Sequence, residues 1–347
     1  MIKVGIVGVG FMSWIHYLAY QKVRGMKVTS FCSRDPKKQK GDWRGIKGNF
    51  GPAGEQIDVS KMAVYATLEE MLADDSIDMV DICLPPALHE EATIKALKAG
   101  KHVLVEKPIA LDPAAAKRMQ KAADKCGKLM LTAHVLPFFT EFNFALEAAR
   151  SGKFGKVLGG HFKRLISDPT WIPDFYDLEK VGGPLLDLHI HDAHFIRLMF
   201  GMPTSVTSVG RMRGDCVEYC TTQFGFADSS YVVTATSGVL HQPGRSFTHG
   251  FEIHFEEATL LMDFAVIDDA PVVAMPLTVL PKKGKSKQPK LKGGDPVDSF
   301  AAELKEVEQS ILSGTPSSIL GGDVAVDALV LCQKQADSIA KGKTVRV

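Results

Sequence analysis

Three places in the chain put reactive side chains at spacings that chemistry can use. The first is Glu106-Lys107-Pro108, which closes the run Gly100-Lys101-His102-Val103-Leu104-Val105. Residues 102–105 read as a short strand, and proline, with no N–H and a fixed φ, ends its ladder. Carboxylate and ammonium groups are rarely buried unpaired. The tripeptide is therefore either a solvated turn after an edge strand or a site that uses a lysine. The second place is Asp187 with His191, which on one helix would point to the same side. A histidine can move a proton near neutral pH; alone, this one reads as a packed or capping residue. The third is Gly8-Val9-Gly10-Phe11-Met12-Ser13, whose chemistry is anion binding. The first glycine permits a tight turn, and the second lets the backbone approach a pyrophosphate at a helix N-terminus. The third position needs only a small residue, here Ser13.

These groups need elements to hold them. Residues 2–7 are apolar enough for a buried parallel strand, and a helix follows over 13–23. A second strand, 27–32, runs into Ser33-Arg34-Asp35-Pro36. An acidic residue about 20 positions past the glycines marks NAD by binding its ribose 2′-hydroxyl. Here Ser33 and Arg34 stand at that place, with Lys37 and Lys38 just beyond. A guanidinium beside a hydroxyl suits a 2′-phosphate, which favours NADP over NAD. Asp35 takes the ribose if the register differs. Residues 41–60 read as a Gly-rich loop. A third strand, 62–66, precedes Thr67 and Glu70, a capping box. A fourth, 79–84, ends in Leu84-Pro85-Pro86-Ala87-Leu88-His89, and a helix over 89–99 leads to the strand that carries Lys107. The last strand, 128–133, is followed by His134. Ligands bind beyond the carboxyl ends of such strands. The cofactor set expected on this ground is Gly8, Gly10, Phe11, Met12, Ser33, Arg34, Lys38, Leu84, Pro85, His89, Glu106 and Lys107.

The second half reads differently. A helix over 142–151 stops at Gly152, and a strand covers 157–166. Residues 167–180 have no period and carry Trp171, Pro173, Phe175 and Tyr176. Such aromatics either lie on a sugar-like ring or pin the loop to the surface. Trp171, Tyr176 and His134 are the candidate substrate contacts. Strand-like segments follow at 205–211, 217–226, 230–237, 251–255, 259–263 and 272–279, with a hairpin turn at Glu256-Glu257-Ala258. Helices over 297–313 and from 322 or 323 to 340 end at Gly314 and Gly342.

At 347 residues the chain can build two cores. Its net charge of +1 offers no attraction to nucleic acid or an anionic membrane. The lysine-rich run over 282–290 reads as a solvated loop. Six scattered cysteines without a CxxC pair suit reduced, buried thiols. Cys216 and Cys220 would share a strand face, with no zinc or disulfide expected. The absence of a leader pattern and of an apolar run of about 18 residues gives the expectation of a cytoplasmic protein. His189, His191, His194 and Asp192 do not share one helical face, so no metal is expected there.

At this point the motifs resemble the Gfo/Idh/MocA oxidoreductases, named for glucose–fructose oxidoreductase, inositol dehydrogenase and a rhizopine-catabolism protein. The matching pieces are Gly8-Val9-Gly10, Pro85 with His89, Ala99-Gly100-Lys101-His102-Val103 into Glu106-Lys107-Pro108, the stretch from Gly182-Gly183-Pro184 to Asp192, and Gly342-Lys343-Thr344-Val345-Arg346-Val347. The resemblance implies an α/β chain. A Rossmann doubly wound parallel sheet would cover 1–135, and an α+β domain with an open, largely antiparallel sheet would cover 136–347 for substrate binding and oligomerisation. It implies Lys107, Asp187 and His191 as the catalytic set, a nicotinamide cofactor, a sugar or polyol substrate, and a homodimer or homotetramer through the open sheet face. The family often carries Arg-Phe before a proline after the last strand of the first domain. Here Leu136-Pro137-Phe138-Phe139 lacks the arginine, so an acidic substrate held by it is not implied. The leading expectation is hydride transfer at a secondary hydroxyl or ketone. The alternatives are glycoside cleavage by oxidation, elimination and re-reduction, and a non-catalytic cofactor sensor.

Overall fold

The computed structural model describes residues 1–347 except Asn49, Trp171, Pro173, Ser229 and Lys292. The chain starts with β1 (Ile2–Val7), α1 (Phe11–Tyr20) and β2 (Met26–Cys32). It continues with α2 (Pro36–Gln39), β3 (Ala63–Tyr65), α3 (Leu68–Leu72), β4 (Met79–Ile82), α4 (His89–Lys98), β5 (His102–Glu106), α5 (Pro113–Cys126) and β6 (Met130–Ala133). The strands form a parallel six-stranded sheet of order β3-β2-β1-β4-β5-β6. Burial on both faces explains the unbroken apolar runs: Val4, Ile6, Val80, Ile82, Leu104 and Val105 have no exposed surface. Each such side chain contributes about 1.5–3 kcal/mol by leaving water.

Local chemistry sets the helix ends. Thr67 Oγ1 accepts the Glu70 N–H at 3.2 Å and Glu70 Oε2 accepts the Thr67 N–H at 3.1 Å, the reciprocal box that starts α3. Asp112 caps α5 by accepting from Ala114 N at 2.8 Å and Ala115 N at 2.9 Å, with Pro113 at the first turn and Gly127 at φ 61° to end it. The Gly-rich stretch after α2 is pinned by Trp43. Its fully buried indole packs 5.4 Å from Phe31 and 6.2 Å from Trp14, ring centre to ring centre, and its N–H donates to the Lys38 carbonyl at 3.1 Å.

The later elements are α6 (Thr140–Arg150), β7 (Val157–Ser167), a π-helical turn (Leu185–His189), α7 (Ile190–Phe200), β8 (Ser205–Arg213), β9 (Cys216–Gly225) and β10 (Val232–Leu240). After them come β11 (Arg245–Phe255), β12 (Ala258–Ile267), β13 (Ala270–Pro281), α8 (Pro296–Ser313), α9 (Gly322–Lys341) and β14 (Val345–Arg346). The second sheet has eight strands in the order β13-β12-β11-β7-β10-β9-β8-β14. It is antiparallel except where β10 runs parallel to β7. Part of it faces outward: Val209, Val232 and Val273 are 70%, 67% and 58% exposed.

Two compact units result. One holds Met1–Phe138 and Gly293–Val326, the other Phe139–Lys292 and Asp327–Val347. Within the first, α8 returns from late in the chain to α1: Lys22 pairs with Asp295 at 3.3 Å and Asp298 at 2.7 Å, and Phe300 lies 5.8 Å from His16. The Thr132 N–H donates to the Leu320 carbonyl at 2.8 Å, tying the same late segment to β6.

Candidate functional site

The glycine turn stands at the carboxyl end of β1. Gly8 has φ +85°, and a Cβ there would lie 2.8 Å from the Cys83 carbonyl oxygen, so only glycine fits. Gly10 precedes α1. Ser13 Oγ accepts the Gly10 N–H at 2.6 Å and donates to the Gly10 carbonyl at 2.8 Å. Serine at the third position thus ties the turn to the helix as well as being small. A Cβ built on Gly10 meets no atom within 4 Å, and the first turn of α1 has no acidic residue. Open space against bare backbone at a helix start fits a pyrophosphate. Lys38 donates to the Val9 carbonyl and brings its charge to the same turn. Phe11 and Met12 are half-buried, and Phe11 meets Phe50 edge-on at 4.8 Å.

At the end of β2, Ser33 is buried and its Oγ accepts the Asp35 N–H at 3.2 Å. Asp35 caps α2 by accepting the Lys37 N–H at 2.8 Å, while Arg34 is exposed. One oxygen of Asp35 is thereby committed to its own helix.

Lys107 stands at the end of β5, joined to Pro108 by a cis peptide bond. Its N–H donates to Glu106 Oε2 at 3.0 Å. His89 is wholly buried, with Nδ1 2.8 Å from the Pro108 carbonyl and Nε2 2.8 Å from the Leu84 carbonyl. Sequence reasoning counted His89 as a cofactor contact. Its ring packs between the end of β4 and the residue after Lys107, where a neutral imidazole donates to one of the two carbonyls, and burial pushes it below the usual value. Leu84 is half-buried, with its side chain beside Gly8, and Pro85 precedes a short 3₁₀ turn. His134, a candidate substrate contact, is wholly buried after β6.

Sequence reasoning passed over His16, Asp81 and Glu303, all wholly buried in this unit. The signals were a histidine among the buried residues of α1 and an aspartate inside Met79-Val80-Asp81-Ile82.

The second unit holds Asp187 and His191. Gly182 and Gly183, at φ 87° and 70°, lead into Pro184. The expected single α-helix is instead a π turn through Leu185–His189 that passes into α7. A π turn closes i→i+5 bonds, so it takes one more residue than an α turn, a device that recurs at functional sites. Asp187 and His191 remain half-buried, while Leu188, His189, Ile190, Asp192 and Ala193 are buried. Behind them Arg164 grips Asp192 with two bonds, 2.8 and 3.1 Å, both side chains buried. Burial pushes the imidazoles of His189 and His249 down, and Arg164 adds to it in both.

In the 167–180 loop, Tyr176 donates to Asp168 at 3.0 Å and carries the Arg213 guanidinium 4.1 Å above its ring. Arg213 also donates to Asp168 at 2.8 Å. Burial, then Asp168, pushes the Tyr176 phenol up to about 12. These side chains line a cleft of about 510 Å³ with Thr170 and Ile172. Trp171 lies outside the described residues. All six cysteines are free thiols; burial pushes Cys216 and Cys220 up to about 11 and about 12.

A parallel sheet ordered 3-2-1-4-5-6, with a glycine turn on its first strand and an open-faced mixed sheet in a second unit, defines an NAD(P)-binding oxidoreductase fold. Known proteins agree. Residues 2–134 match the family described as "Oxidoreductase family, NAD-binding Rossmann fold", and residues 142–261 match the "GFO/IDH/MocA C-terminal domain". The chain belongs to the Gfo/Idh/MocA family. It is 28% identical over 267 residues to the 1,5-anhydro-D-fructose reductase of Ensifer adhaerens, covering 74% of this chain and 76% of that one. It is 28% identical over 213 residues to the 2,7-anhydro-N-acetylneuraminate hydratase of Escherichia coli K12, covering 60% and 53%. The chain spans only about half the length of several curated relatives that it matches. Aldose-aldose oxidoreductase from Caulobacter crescentus shares the fold, with a TM-score of 0.81, 19% identity and coverage of 100% and 99%.

Proposed function

We propose that the chain transfers hydride between a nicotinamide cofactor and a secondary hydroxyl or ketone of a sugar, inositol or related polyol. One observation carries this reading: the open, Gly-lined start of α1 and Lys107 follow carboxyl ends of strands in one parallel sheet, where such folds bind their ligands. When bound, the nicotinamide supplies or accepts the hydride. In this reading Gly8, Gly10, Phe11, Met12, Leu84 and Pro85 hold its phosphates and adjoining parts. Lys107 donates a hydrogen bond to the reacting oxygen, where charge develops. His191 takes or returns the hydroxyl proton, and Asp187 orients its partner. Tyr176 and the cleft around it hold the substrate's far end, and the outward-facing strands of the second sheet pair with a second copy. NADP is favoured over NAD, since Arg34 is exposed beside Ser33 while Asp35 caps α2.

A panel of sugars and inositols with NAD and NADP, followed by absorbance of the reduced cofactor, tests both statements. Reduction with NADP, weakened in Arg34→Ala, is the expected result. Use of NAD as readily as NADP by wild type, or unchanged use of NADP in Arg34→Ala, would remove the cofactor preference, and no turnover with any polyol would remove the reaction. The relative named as a hydratase favours one second reading, oxidation, elimination and re-reduction with no net redox. Turnover of a glycoside without added cofactor would identify it.

A further inference from the structure

Between the parallel sheet and two of its helices lies a group of titratable side chains that hydride transfer leaves unexplained. His16 and Tyr20 come from α1, Asp81 from β4 with Cys83 just beyond, Glu106 from β5 and Glu303 from α8. Asp81 Oδ2 lies 2.9 Å from His16 Nδ1 and accepts from Tyr20 at 3.0 Å, and the Cys83 thiol lies 3.6 Å from Oδ1. A carboxylate cannot donate, so His16 Nδ1 carries a hydrogen. On the far side of the ring, Nε2 lies 3.1 Å from Glu106 Oε1, off the line of an aligned hydrogen bond. Two lone pairs facing at that distance, away from water, would repel. A proton therefore sits on one of the two atoms. The same carboxyl group accepts the Lys107 N–H through its other oxygen.

We propose that His16 is a positioning residue for Lys107: a doubly protonated His16 ring, paired with Glu106, keeps the Glu106 carboxyl group turned so that it fixes the backbone of Lys107. The inference rests on the reading of Lys107 as an active-site residue. It supplies the strap on one side of Lys107, and the packed His89 ring lies on the other, beside the Pro108 carbonyl. The surroundings favour retention of the proton. Burial pushes the His16 imidazole down, but the charge and hydrogen bond of Asp81 oppose this, and the imidazole is held well above the usual value. Burial pushes the Tyr20 phenol, the Cys83 thiol and the Glu303 carboxyl up, so these three stay neutral beside the ring. The His16, Asp81 and Cys83 donor atoms lie within 4.8 Å of one another, a spacing an ion could also use. Hydrogen-bond donors already occupy Asp81, and the thiol keeps its proton, so the group reads as a proton store.

The test compares wild type with His16→Gln, Glu106→Gln and Lys107→Ala. ¹⁵N NMR of labelled histidines reads the His16 protonation state directly, and kcat, KM and NADP(H) affinity are measured across pH. We expect a doubly protonated His16 ring near neutral pH in wild type. In Glu106→Gln the amide can donate to Nε2, and the ring should become neutral with its hydrogen on Nδ1. His16→Gln should lower kcat by about 10²-fold, the size of a small misplacement, with KM and cofactor affinity near wild type and the alkaline limb of the pH profile moved. A neutral His16 in wild type overturns the proposal, as does a stoichiometric metal ion lost in Cys83→Ser. Should His16→Gln fail to fold, Glu106→Gln carries the same readouts. If Lys107→Ala is inactive while His16→Gln is fully active, the positioning role alone falls. If Lys107→Ala is fully active, the site assignment falls and takes the positioning role with it.

Discussion

Lys107 shows how far one residue can be read from its neighbours. A strand that ends on Glu-Lys-Pro is odd by composition, and its place beside a glycine turn makes it a site candidate. Replacing Lys107 by Ala should lower kcat by about 10²–10⁴-fold with the fold intact, checked by steady-state rates and circular dichroism; retained activity would sink the assignment. What could not be read is the support behind it. His16 and Asp81 are 65 residues apart and meet only after α1 folds onto β4, and each reads alone as a stray polar residue in an apolar run. Glu303 is a third such residue, with a consequence for stability. Burial raises its proton affinity first; His16 opposes this, while Glu106 and Asp81 add to it. The folded chain thus keeps a proton that the unfolded chain releases above the ordinary value of 4.5. As pH rises through that value and toward the folded one, stability is lost. Glu303→Gln should melt higher than wild type at neutral pH, with the gap closing toward acid. Melting curves that run parallel across pH would refute this.

Elements were legible where a local rule writes them. Thr67 with Glu70 announced α3, Gly314 and Gly342 announced the ends of the last two helices, and period and turn residues announced most strands of the second sheet. The long helix α5 was not singled out, although Asp112-Pro113 starts it and Gly127 ends it. Asp112→Ala should cost about 1 kcal/mol by freeing two first-turn N–H groups, read as a lower denaturant midpoint with unchanged slope. An unchanged midpoint would mean that water replaces the cap without loss. The π turn at Asp187 was hidden for a different reason. Its residues carry ordinary helix chemistry, and the extra residue is settled by how the segment packs after Gly182 and Gly183.

For the whole molecule, the parallel first sheet and the largely antiparallel second sheet follow from patterns that repeat along the chain. Partnership with another copy does not. The exposed valines Val209 of β8 and Val232 of β10 are single positions in separate segments until the sheet brings them to one face. If that face covers itself with a second copy, Val232→Glu should shift the protein toward monomer in light scattering without lowering its melting temperature as a monomer. A wild type that is monomeric at every concentration would rule this out.

The return of α8 bears on how the gene can be divided. A chain cut after Phe138 would lose the partners of Lys22, the ring beside His16 and the carbonyl that receives the Thr132 N–H. A soluble cofactor-binding fragment would have to splice residues 1–138 to 293–326, following the unit as it is packed. Any exchange of this half between relatives would have to carry both pieces together, because α1 and the histidine behind Lys107 lean on a helix from late in the chain.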